Sequence, residues 1–79
     1  MSSLREKFGQ RLKAIRSSRK LSQEQFAELL GISVDFLSLI ERGINAPSFE
    51  NLEVFSTRLK IPLSVLFDFD ATANPSLHE

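Results

Sequence analysis

Reactive side chains are scarce in these 79 residues, and their placement limits the covalent chemistry the chain can do. There is no cysteine, hence no thiol nucleophile, thiolate metal site or disulfide, and the one histidine, His78, is next to last. No serine has a base placed near it in sequence. Asp68 and Asp70 can share a cation in principle, but carboxylates two apart in a polar tail are ordinarily just solvated. The reading is therefore of no enzyme, no bound metal and no organic cofactor.

What remains is ionic and hydrogen-bonding chemistry. The formal net charge is zero, yet the charges are segregated. Residues 1–20 carry Arg5, Lys7, Arg11, Lys13, Arg16, Arg19 and Lys20 against Glu6, a net +6; the remainder carries three cations against nine carboxylates, a net −6. A basic face of this kind attracts phosphates even when the total charge vanishes. The plainer reading of the same stretch is the solvated side of a first helix.

The elements that position these groups follow from periodicity and caps. Leu4, Phe8, Leu12 and Ile15 recur at helical spacing, which predicts an amphipathic helix from residue 3 to about 19. In "LSQEQF" Ser22 and Gln25 form a capping box, with Leu21 and Phe26 placed as a hydrophobic staple. A second helix runs from Gln23 to about Leu30, burying Phe26, Leu29 and Leu30, with Ala27 small enough for close approach and Gly31 as its stop. Ser33 then caps a third helix from Val34 to about Arg42, ended by Gly43. Two short helices joined by so tight a turn must cross steeply, as in a helix-turn-helix. Pro47 and Ser48 open a fourth helix with Phe49, Leu52, Phe55 and Leu59 on one face, reaching about Lys60. Pro62 starts a short fifth through Leu63, Leu66 and Phe67. The fold class is all-α, a compact bundle of five helices over residues 1–67, followed by a flexible tail over 68–79.

Three linked stretches, "FGQRLKAIRSSRKLSQEQFAELLGIS", "FLSLIERG" and "PSFENLEVFSTRLKIPLSVLF", span Phe8 to Phe67. On them the chain resembles the Cro and phage-repressor (XRE) family of helix-turn-helix DNA-binding domains, whose lambda-repressor-like bundle has about five helices. The resemblance implies that Gln23 donates to a DNA phosphate at the start of helix two, that Ser22 and Arg42 flank it on the backbone, and that Ser33, Val34, Asp35, Ser38 and Leu39 face the major groove. It also implies a structural ion pair between Arg16 and Glu41. The chain departs from the family at Val34, Asp35 and Leu39, where relatives commonly place arginine, glutamine or serine, and the loop "INA" lacks their basic residues. Val34 and Leu39 can still pack on thymine methyls and Asp35 can accept from a cytosine amino group.

The expected partner is double-stranded DNA with a palindromic operator, bound by a homodimer that uses Val65 and Phe69, in a cytoplasmic transcriptional regulator. The alternative is an antitoxin or other protein-interaction module, with Val34, Phe36 and Leu39 as an apolar patch for a protein partner. No apolar run reaches the roughly 18 residues of a membrane span, and "MSSLREKFGQ" lacks the apolar segment of a signal peptide.

Overall fold

Four of the five helices start on a serine. A computed structural model describes residues 2–70 and contains α1 (Leu4–Ser18), α2 (Gln23–Leu30), α3 (Val34–Glu41), α4 (Phe49–Leu59) and α5 (Leu63–Leu66), with no strand among the described residues. His78 and most of the expected tail lie outside the described residues. The Oγ atoms of Ser3, Ser22, Ser33 and Ser48 accept from the amides of Glu6, Gln25, Phe36 and Asn51 at 3.2, 3.1, 3.0 and 3.0 Å. Return bonds from Glu6, Gln25 and Asn51 close capping boxes at α1, α2 and α4. The first helix begins one residue later than its periodicity predicts because Ser3 is spent as a cap. Its backbone amide, then its hydroxyl, hold the Glu6 carboxylate and draw its pKa below the ordinary glutamate value.

The helices end by a shared device. Lys20, Gly31, Gly43 and Lys60 all take left-handed conformations, with φ of 58°, 76°, 76° and 58°. The next amide, of Leu21, Ile32, Ile44 or Ile61, donates to the carbonyl five residues back at 3.3, 3.0, 2.9 and 3.2 Å, which is the Schellman closure. The glycine stops are as expected, whereas two lysines do the same work at a cost on the order of 1 kcal/mol each. Leu21 and Ile61 offset that cost by packing against the core directly after the turn.

The core joins Phe8, Leu12 and Ile15 of α1, Phe26, Ala27 and Leu30 of α2, Leu37 and Ile40 of α3, Phe55 and Leu59 of α4, and Leu66 of α5. Two expected core residues are elsewhere: Leu4 is 63% and Phe49 83% exposed. Both lie in the first turn of a helix, where the apolar stripe runs on past the end of the bundle. Leu29 is only half-buried. Residues 68–70 do not all belong to the tail, because Phe69 packs against the core. None of the described helices is long and apolar enough to cross a membrane.

The α1 backbone lies close over the C-terminal end of α3. A Cβ on Gly9 would collide with the Ile40 carbonyl oxygen and come within 2.9 Å of that of Glu41, both rigid backbone atoms. Alanine normally improves a helix interior by about 1 kcal/mol over glycine. Here Gly9→Ala is expected instead to destabilise by about 2 kcal/mol through overpacking, read from the urea midpoint. A gain in stability would mean that α1 does not lie on α3.

Candidate nucleic-acid interface

Only Ile32 separates the left-handed Gly31 from the Ser33 cap, so α3 leaves the turn at once in a new direction. The inward face of α3 is Leu37 and Ile40, both buried. The outward face carries Ser33, Val34 and Asp35, all exposed, and Ser38 and Leu39, half-buried. This surface presents two hydroxyls, one carboxylate and two apolar side chains, which suits hydrogen bonding to base edges and contact with thymine methyls. Phe36 does not join it, because its ring packs against the core, leaving Val34 (38% exposed) and Leu39 as the only apolar groups there. The apolar patch proposed for a protein partner is correspondingly smaller than the sequence suggested. Arg42 caps α3 and is exposed.

Behind this face stands a buried carboxylate. Glu41 accepts from Arg16 Nε at 2.8 Å, from Arg16 Nη2 at 3.1 Å and from Gln23 Nε2 at 3.0 Å, with its side chain 3% exposed. Arg16 also donates from Nη1 to the Leu21 carbonyl at 3.1 Å. The two-point arrangement is the strong form of an arginine–carboxylate pair. It ties α1, the start of α2 and the end of α3 together, as the resemblance implied. The Gln23 bond is an addition to that picture: one amide hydrogen is held by Glu41, which aims the half-buried side chain and leaves the other free. Nothing local signals a contact between residues 18 apart. Ser22 accepts from Gln25 but keeps its own hydroxyl proton to donate.

The basic block of α1 is used differently from the expectation that it faces phosphates. Arg5 donates to the Ile44 carbonyl at 3.2 Å, Arg11 to that of Val65 at 2.9 Å and Arg19 to that of Leu59 at 2.7 Å. These carbonyls lie at or just beyond the C-terminal ends of α3, α5 and α4, where helices leave acceptors unfilled and the dipole is negative. The arginines therefore clamp the bundle, and the exposed cations left on or just after α1 are Lys7, Lys13 and Lys20. Val65 and Phe69 are likewise partly committed within the chain. Both are half-buried, and Phe69 sets its ring edge-on to Phe67 at 6.1 Å.

A tight two-helix turn whose second helix keeps one face outward, held by caps and a buried ion pair, defines a helix-turn-helix domain. The helix-turn-helix family profile matches residues 12–66, and the chain belongs to that family, a family of DNA-binding transcriptional regulators. The XRE resemblance is thereby borne out. Over 58 residues the chain is 45% identical to the immunity repressor protein of Bacillus phage phi105, covering 73% of this chain but 40% of the repressor. It is 40% identical over 68 residues to the control protein C.MunI of a Mycoplasma species, covering 85% of this chain and 92% of that protein. The crystal structure of the restriction-modification controller protein C.AhdI from Aeromonas hydrophila superposes with a TM-score of 0.73 at 37% identity, over 78% of this chain and 94% of that one.

Removing the carboxylate strands three donor groups on two side chains, Arg16 and Gln23. Glu41→Ala is expected to cost about 3 kcal/mol in chemical denaturation, the scale of a broken buried pair. A loss below about 0.5 kcal/mol, as for a surface pair, would mean that the two side chains do not meet inside the protein.

Proposed function

We propose that the chain is a sequence-specific regulator that binds duplex DNA as a homodimer, with α3 in the major groove of each half of a palindromic operator. The observation that carries this reading is the outward face of α3, Ser33, Val34, Asp35, Ser38 and Leu39, standing on a rigid helix-turn-helix beside Ser22, Gln23 and Arg42. Ser22, Gln23 and Arg42 take phosphates, with the free Gln23 amide hydrogen and the positive end of α2 directed to the same anion. Ser33, Val34, Asp35, Ser38 and Leu39 read base edges. With no arginine or glutamine among them, discrimination rests on thymine methyls and cytosine amino groups, and affinity is modest. By occupying a promoter the protein represses transcription or controls its own, in line with relatives named as repressor and control proteins. Its work is binding, in the cytoplasm, without catalysis.

Selection of duplexes from a random-sequence pool at low salt is the direct test. Enriched palindromes with half-sites about 34 Å apart, one helical turn, are the expected result; a pool without enrichment would turn the surface of α3 over to a protein partner. Two substitutions separate the roles. Asp35→Ala should change the base preferred at one position of each half-site, and an unaltered preference would remove Asp35 from the reading set. Gln23→Ala should weaken all duplexes alike while leaving the slope of log affinity against log salt unchanged, because the donor lost to the phosphate is uncharged.

A further inference from the structure

The groups assigned to phosphates so far gather at one end of α3. Gln23 is tied to Glu41 in the last turn of that helix, and Arg42 is its C-cap. The exposed Lys7 and Lys13 belong to α1, whose backbone lies over the Ile40 and Glu41 carbonyls at the same end. The first turn of α3 carries instead the exposed carboxylate of Asp35. Yet α3 is eight residues long, about 12 Å at 1.5 Å per residue, and the major groove is about 12 Å wide between its two phosphate backbones. A helix crossing that groove brings each end near a different strand, so the N-terminal end of α3 meets phosphates too.

We propose that Arg58 of α4 holds the DNA backbone at that end, on the strand opposite the one taken by Ser22, Gln23 and Arg42. The inference rests on the reading of α3 as the helix in the groove. The Arg58 guanidinium lies over the turn between α2 and α3: a Cβ on Gly31 would stand 3.7 Å from its Cζ and 3.8 Å from each Nη. Nη1 donates to the Leu29 carbonyl at 3.4 Å, and only Ile32 separates Gly31 from the Ser33 cap of α3. Gly31 therefore stops α2 and, lacking a side chain, leaves the guanidinium room against the turn.

The other arginines that reach across the bundle are committed inside it. Arg16 is paired with Glu41, and Arg5, Arg11 and Arg19 bond backbone carbonyls at 3.2, 2.9 and 2.7 Å. Arg58 makes one bond, long and exposed, and Glu53, which lines a shallow depression with it, forms no ion pair with it. Its Nε and Nη2 are left to donate, among the described residues, in the planar fork that matches phosphate oxygens. A cation at this end of α3 also offsets the repulsion between Asp35 and the DNA backbone.

The test is the affinity of the full chain for the duplex most enriched in the selection, followed by fluorescence anisotropy between about 50 and 200 mM salt. Arg58→Gln is expected to weaken binding about tenfold for each copy bound, the scale of one charge-assisted contact, and to lower the slope of log affinity against log salt by about 0.9 per copy. Arg58→Lys should keep the slope, since the charge remains. Lys60→Gln removes an exposed cation at the C-cap of the same helix and should leave affinity and slope as in the parent. An Arg58→Gln slope equal to that of the parent overturns the proposal even if affinity falls, because a residue that only steadied the turn would weaken binding without changing the number of counterions released. A slope lowered equally by Lys60→Gln overturns it as well, by showing an effect of total charge rather than of position. A parent that binds no duplex fails the reading of α3 itself, a failure visible before any substitution is made.

Discussion

The carboxylate of Glu41 is the point on which the geometry of the helix-turn-helix depends. It is buried at the end of α3 with three hydrogen bonds from two other parts of the chain, Arg16 on α1 and Gln23 at the start of α2. A charge so placed is tolerable only while its donors are present, so the helices carrying them are held in one relation. Gly9 permits this by letting the backbone of α1 lie against the Ile40 and Glu41 carbonyls. The same carboxylate that locks the fold also orients the Gln23 amide, so rigidity and the aim of that side chain share one cause.

The charge pattern acquires its meaning from the same packing. A +6 segment followed by a −6 remainder looks like an electrostatic handle for nucleic acid, and part of it is instead internal fastening. Arg5, Arg11 and Arg19 each reach a backbone carbonyl at or just past the end of another helix. A guanidinium suits this use because its long stem packs along apolar surface while its planar head donates in fixed directions. The lysines, with a more strongly hydrated head, stay in water.

Local rules carried most of the fold, and their reach explains where they stopped. Ser22, Ser33 and Ser48 were legible as caps because the bond each makes is to an amide three residues on, and Gly31 and Gly43 as stops because their conformation is a property of the residue itself. Lys20 and Lys60 adopt the same conformation without any such signal, sustained by the apolar residue that follows each. Within the candidate site, the orientation of α3 was legible from Leu37 and Ile40 at core spacing, while the inward turn of Phe36 was not.

By itself, then, the sequence determined the number, order and limits of the helices, the tight turn between α2 and α3, and the residue types on the outer face of α3, because caps, stops and periodicity act over three to five residues. Only the tertiary structure decided that Gln23 is held by Glu41, that Arg5, Arg11 and Arg19 bond carbonyls near the ends of other helices, and that Leu4 and Phe49 remain uncovered. The first two join residues from 18 to 54 positions apart, and the third depends on where the bundle ends. Amphipathic spacing shows which side of a helix is apolar, but the length of that stripe that finds a neighbour is set by the other helices.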